Sequence, residues 1–352
     1  MKVEKQHLRF ILFEDDLTEY INSKANDLYQ LLQNFDGTTL PIQNDLKDYF
    51  INHHLGKRLF FSIQNSAHII YQSVKITGKP INEINIVDYG AGLGTLYMLA
   101  GLLNFKRIVY NDYLPDWKDT AELICKNLDI PIYGYVTGDV DAVLNYAATE
   151  GFLFDIVASR NVIEHIYSLP FFYSELYKHN PAAVIFSTTS ANFHNPAMRL
   201  KHYVLHKKVE RTQYLPQRKL QIKKEWPNII PNQLKKLSEL TRGKANEEFI
   251  TAINDYKNNL PVCKVPYLRS NTCTADSGYW CEHLLTKNEY QQIISHAGFE
   301  AAYTAGYWDT HYRSVFMNVL GKFLNRVINI SGQKAILFSP FVNVVASNKN
   351  SI

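Results

Sequence analysis

The chain has 352 residues, 46% of them hydrophobic and 20% charged. This ordinary globular mixture excludes a disordered, collagen-like or disulfide-scaffold protein. A net charge of +4 does not by itself indicate nucleic-acid binding, and four Cys suit a reduced, cytoplasmic setting better than a staple framework. The sequence has neither the roughly 20-residue apolar run of a membrane span nor a signal-peptide pattern.

Residues 1–80 read as an N-terminal helical segment. Leu28, Leu31, Leu32 and Phe35 recur at helical spacing before Gly37, and Leu59, Phe60, Ile63, Ala67, Ile70, Tyr71 and Val74 mark a second helix that ends near Gly78. From Ile84 the period changes. Short apolar runs at 84–88, 107–112, 131–137, 154–159 and 182–187 predict strands, and the stretches 95–103, 117–127, 140–148 and 170–179 predict helices between them. Strict alternation means βαβ units and a parallel sheet. After about Ser190 the rhythm stops, and it resumes with a helix over 286–296, a strand from Phe299 and a last strand over 335–345. Pro340 in that last strand favours an edge or a bulge. The expected fold is α/β: a doubly wound, mostly parallel seven-stranded sheet formed by 81–191 and 279–352, with an inserted cap at 192–278.

That insertion concentrates charge. Residues 199–236 hold eleven Lys or Arg against two acids, a net of +9, so the rest of the chain is acidic by five. Arg199, Lys207, Lys208 and Arg211, with Tyr203, are candidate contacts for an acceptor bearing phosphate or carboxylate. A solvated face, or a membrane-surface acceptor such as a lipid-linked sugar, is the alternative reading. No RNA-binding module accompanies the run, which argues against nucleic acid. Cys263, Cys273, Cys281 and His283 lack the closely spaced pairs of structural zinc sites, so no metal is expected.

The strongest local signal is Asp88-Tyr-Gly90-Ala-Gly92-Leu-Gly94, an acid at a strand end followed by three alternate glycines. The dinucleotide pattern G-x-G-x-x-G fits neither frame, since positions 95 and 97 are Thr95 and Tyr97. This disfavours an NAD(P)-dependent oxidoreductase. The pattern D-x-G-x-G-x-G resembles class I S-adenosylmethionine-dependent methyltransferases, over about 85–190 and 280–346. The resemblance implies that Asp88, Gly90, Gly92 and Gly94 pack against the methionine part of S-adenosylmethionine. It implies that Asp112 holds the ribose, with Asn111 as the register alternative, and that Asp139 and Val140 meet the adenine. Arg160-Asn161-Val-Ile-Glu164-His165-Ile is similar to the segment that closes the methyl-transfer site, with Arg160 and Asn161 at cofactor-contact positions. Glu282-His283 through Gly298-Phe299 is similar to the family's late helix-to-strand signature. The alternative for Asp112 and Asp139 is a plain helix cap, and Phe60, Phe61 and Gln64 read as core packing, with a cofactor lid as the alternative.

The implied chemistry is transfer of a methyl group to an O or N nucleophile of a small-molecule or glycan-type acceptor by in-line displacement. A hydroxyl acceptor needs a base, for which His165, His194 and His202 are candidates. The alternative is a catalytically silent cofactor-binding scaffold on the same sheet. The N-terminal helices offer a surface for a homo-oligomer.

Overall fold

The computed structural model describes residues 8–264, 272–279 and 282–348. Three helices come first: α1 (Asp16–Asn34), α2 (Asn44–His53) and α3 (Leu59–Thr77). Strands and helices then alternate as β1 (Asn85–Tyr89), α4 (Leu96–Leu102), β2 (Arg107–Asp112), α5 (Pro115–Asn127), β3 (Gly134–Thr137), α6 (Val140–Thr149), β4 (Ile156–Arg160), α7 (Leu169–His179) and β5 (Val184–Thr189). The inserted stretch is helical, with α8 (Pro196–Val209), a π-turn at Glu210–Tyr214, α9 (Leu215–Glu225), α10 (Pro231–Leu240) and α11 (Asn246–Lys257). The chain closes the sheet with α12 (Lys287–Ala297), β6 (Glu300–Ala305), α13 (Val315–Ile330) and β7 (Val342–Ser347).

The strand order is β3-β2-β1-β4-β5-β7-β6. Every pairing is parallel except those of β7, which runs antiparallel to both β5 and β6. Side chains alternate across a strand, and the core divides accordingly. Ile86, Ile108, Ile156 and Val184 face the layer of α1, α3, α4 and α5. Their neighbours Val87, Val109, Val157 and Ile185 face the layer of α6, α7 and α12. This two-sided burial explains why these strands read as continuous apolar runs. The N-terminal helices belong to the first layer: α3 packs on β4 and β5, and α1 on α3 and α4. Their apolar faces are therefore buried on the sheet within one chain. The insertion has a small core of its own around Ile222, Leu237, Phe249 and Ile253.

Three sequence expectations are corrected. The fifth strand begins at Val184, not Ala182, because Asn180 Oδ1 accepts from Ala182 N at 3.0 Å and turns the chain there. The last strand is Val342–Ser347 rather than 335–345, and it lies inside the sheet rather than at its edge. Pro340 precedes it. The Asn192 amide donates to the carbonyls of Ile336 and Ser339 at 2.8 and 2.9 Å, so that approach segment satisfies itself away from the strands. Finally, α13 occupies a stretch in which no element was expected. No helix among the described residues is long and apolar enough to cross a membrane.

Candidate functional site

The carboxyl ends of β1, β2, β3 and β4 open into a cavity of about 1020 Å³. Open parallel sheets place ligands at this end, where the strand order reverses between β1 and β4. The floor is the turn after β1. Gly90 and Gly92 have φ of 65° and 55°, a region that side-chain-bearing residues avoid. A Cβ on Gly90 would stand 2.6 Å from Val162 Cγ1, and one on Gly92 would stand 3.1 Å from the Trp117 ring. The turn therefore brings bare backbone against the cavity. Asp88 lies beneath it, buried, and its Oδ2 accepts from Tyr97 N at 2.9 Å in the first turn of α4. Burial pushes the Asp88 carboxyl up to about 8, against the opposing pull of that N–H and of Arg160.

Asn111 and Asp112, the register alternatives at the end of β2, have different roles. The Asn111 amide is a brace: Oδ1 accepts from Gly90 N at 3.4 Å and Nδ2 donates to Gly138 O at 3.0 Å, joining the turns after β1 and β3. Asp112 sits at the cavity wall, where its two oxygens accept from Gly92 N and Leu114 N, each at 3.0 Å. Its pKa is raised by burial, with these N–H groups opposing. A carboxylate has about four lone-pair sites, so both oxygens retain acceptor capacity toward the cavity. Asp139 is the N-cap of α6, accepting from Ala142 N at 3.4 Å, and also lines the cavity beside buried Val140. For Asp139 the cap and the cavity-facing position coexist.

The far wall follows β4. Arg160 lines the cavity, and its Nη1 donates to Ser62 Oγ at 2.8 Å and Ser62 O at 3.3 Å on α3. Asn161 takes a left-handed conformation, φ 55°, donates from its N to Thr188 O at 2.7 Å, and accepts from Ser190 N at 3.0 Å. Asn tolerates that conformation better than most residues, which is how the chain turns sharply after β4 to bring Val162 and His165 to the cavity. Glu164 points away. It is buried, and its pKa is raised chiefly by that burial. Its carbonyl accepts from His283 N at 2.6 Å, while His283 Nε2 meets Ile166 O at 2.8 Å. The two motif segments around Glu164 and His283 are thus clamped together by their backbones.

The structure brings Asp88, Gly90, Gly92, Gly94, Asp112, Asp139, Val140, Arg160, Asn161 and His165 to one cavity. It does not bring the other candidates there. His194 Nε2 accepts from Lys287 N at 3.0 Å, at the start of α12. His202 Nε2 meets Ser190 O at 3.0 Å. Arg199, Lys207, Lys208 and Arg211 are exposed and Tyr203 half-buried, and none lines the cavity. Their helix turns its basic face to solvent. Arg218, counted with the same run, is instead fully buried, ion-paired with Glu210 and donating to Ser238 O and Thr272 Oγ1. Phe60 stacks on Phe10 and Phe61 meets Tyr307 edge-on, so this pair packs away from the cavity. Cys281 lies outside the described residues. Cys263, Cys273 and His283 do not form a ligand set among the described residues.

The sequence reading missed other lining residues. Tyr49 and His54 come from α2 and its end, and Tyr49 packs edge-on against Trp117 at 4.7 Å. Neither ring nitrogen of buried His54 has a partner, and burial with Arg160 nearby pulls its pKa down to about 3. At the opposite side stand Tyr167, Asn246 and residues 276–279, with Tyr113 and Tyr279 stacked at 5.5 Å. Gly278 belongs there because a Cβ would strike the Tyr167 ring at 2.6 Å.

No protein-family model and no curated protein matches the chain. Among solved structures, it is similar to an S-adenosylmethionine-dependent methyltransferase from Clostridium acetobutylicum, at 8% identity over 86% of this chain and 96% of that one, TM-score 0.41. It is similar to magnesium protoporphyrin IX methyltransferase from Synechocystis PCC 6803 with bound SAH, at 10% identity over 94% and 97%, TM-score 0.37. A third is phosphoethanolamine N-methyltransferase 2 from Haemonchus contortus in complex with S-adenosyl-L-methionine, at 12% identity over 86% and 60%, TM-score 0.38. The fold assignment stands on the strand order and the glycine turn. It is the fold the resemblance implied, that of class I S-adenosylmethionine-dependent methyltransferases.

Proposed function

We propose that the cavity binds S-adenosylmethionine and that the protein transfers its methyl group to an O or N nucleophile of a small-molecule acceptor. The observation that carries this reading is the convergence of Asp88, the glycine turn, Asp112, Asp139 and Val140 on one wall at the carboxyl ends of the strands. The residues fit the group. The backbone of Gly90 and Gly92 offers a surface that a Cβ would fill, Asp112 offers carboxylate acceptors for ribose hydroxyls, and Val140 offers an apolar contact for adenine. When bound, S-adenosylmethionine supplies a sulfonium methyl that is already activated, so the chain's work is alignment.

Asp112 and Asp139 orient the nucleoside, and the glycine turn admits the methionine end. Tyr49, His54 and Trp117 exclude water from the α2 side. Tyr167, Asn246 and residues 276–279 form the acceptor wall, so the insertion serves as an acceptor-side cap. That wall carries Asp276 and tyrosines rather than lysines, which favours a neutral or cationic acceptor over the anionic one expected from the basic run. Of the three candidate bases, His165 is the one at the cavity and would take the proton from a hydroxyl acceptor.

Calorimetry tests the reading. Wild-type protein is expected to bind S-adenosylmethionine. Asp112→Ala should weaken binding about tenfold or more, the scale of one hydrogen bond to a charged group. Absence of any binding heat in the wild type overturns the proposal. Binding without methyl transfer across an acceptor panel, read by mass spectrometry, overturns the catalytic part alone.

A further inference from the structure

Behind the loop that carries His165 lies a second cluster, separate from the cavity. His202 and His206 are four residues apart on α8 and so share one helix face. Glu282, from the segment before α12, reaches between them. All three side chains are buried. One donor atom from each lies within 4.8 Å of the others, and no other such group occurs among the described residues.

The tautomer of His202 is fixed by its surroundings. Its Nε2 meets the carbonyl of Ser190 at 3.0 Å, and a carbonyl can only accept, so Nε2 carries the hydrogen. The Nδ1 then faces Glu282 Oε1 at 3.4 Å. His206 Nε2 contacts the other carboxylate oxygen, Oε2. Neither imidazole nitrogen makes this approach with hydrogen-bond geometry. The lone pair of His202 Nδ1, directed at a carboxylate oxygen in a buried site, is repelled unless a proton or a metal cation lies between them. A second carboxyl adds to the demand: Glu164 is close enough to act electrostatically on His202 and Glu282, and its Oε2 is buried without a partner.

We infer that His202 Nδ1, His206 Nε2 and the Glu282 carboxylate form a binding site for a divalent transition metal of the zinc class. Two imidazoles and one carboxylate suit such a metal, whereas calcium and magnesium prefer sets built of oxygen. Ligands about 2.0–2.1 Å from a tetrahedral zinc stand about 3.4 Å apart, the separation of His202 Nδ1 and Glu282 Oε1, whereas His206 Nε2 and Glu282 Oε2 lie closer and must part to admit the ion. The bond from His202 Nε2–H to Ser190 is the kind of outer contact that orients a metal-bound imidazole. Sequence spacing did not reveal the set because two ligands lie on one helix and the third lies far along the chain. The metal ties the start of the insertion to the segment that follows it. Glu282 immediately precedes His283, whose backbone N–H and ring hold the 164–166 loop, so the metal is a clamp on the segment that presents His165. The site does not depend on the methyl-transfer reading.

The full chain, purified without a histidine tag and stripped with chelator, tests this. Titration with Zn2+ should give one tight equivalent per chain, and Co2+ should give the visible absorption of a low-coordinate N/O site. His206→Ala and Glu282→Gln should each weaken Zn2+ at least a hundredfold, while His194→Ala, at a histidine outside the cluster, should leave binding unchanged. Zn2+ should raise the melting temperature of the wild type and not that of Glu282→Gln, a near-isosteric change that keeps the fold testable if the alanine variant unfolds. If the wild type takes up no Zn2+ or Co2+, or binds them equally in Glu282→Gln, the inference fails, and a buried proton bridges the pair instead.

Discussion

At the scale of single residues, Asp88 carries the sharpest consequence. It is buried beneath the glycine turn, and its carboxyl is pushed up to about 8, well above the ordinary carboxylate range. The folded state therefore holds this proton more tightly than the unfolded chain. The associated stability is fully present below about pH 4 and is lost as pH rises through about 8. Asp88→Asn keeps an oxygen to accept from Tyr97 N and removes the titration. The melting temperature of the wild type is expected to fall more steeply between pH 5 and 9 than that of Asp88→Asn; parallel curves would show that Asp88 is not the group responsible. Residue chemistry was legible in the sequence wherever it was local. The glycine turn, Asp112 and Asp139 are each set by a strand end and the turn after it, so spacing located them. Tyr49 and His54 were not legible, because they line the cavity only in the folded chain, Tyr49 against Trp117 of α5, and no pattern in 44–54 announces that contact.

At the scale of elements, the strands of the parallel half were legible because burial on both faces writes apolar runs into the sequence. The start of α12 was equally plain. Thr286 and Glu289 form a reciprocal capping box, with Thr286 N donating to Glu289 Oε2 at 2.8 Å and Glu289 N donating to Thr286 Oγ1 at 3.3 Å. Thr286→Ala should cost about 1 kcal/mol, measured by urea denaturation; no change would mean that packing of α12 on α7 and β6 alone holds the helix start. The place of β7 was not legible. Its composition suits a buried strand, but whether it lies outside or between its partners depends on pairings with β5 and β6, which a local reading does not contain. Pro340 suggested an edge only as long as the strand was thought to include it.

At the scale of the whole molecule, the basic excess needs a different reading from the one its count suggested. A tally of lysines cannot tell which helix face they occupy, and α8 turns His202 and His206 inward and Lys207 and Lys208 outward. The run can act on an acceptor only through its field, which is screened over about 8 Å at physiological ionic strength. Replacing Lys207, Lys208 and Arg211 with Gln should therefore leave the acceptor KM within about twofold at 0.15 M salt. A tenfold rise under those conditions would place the acceptor on the basic face. The position of β7 has a consequence in time. Strand β5 is buried along its whole length, yet the partner for its outer edge arrives about 150 residues later. At about 5–20 residues per second of synthesis, the nascent sheet carries an open apolar edge for roughly 8–30 seconds while the insertion and α13 emerge. An unpaired edge is a template for pairing with other chains, so translation speed through 190–341 should govern how much protein reaches the native state rather than the aggregate.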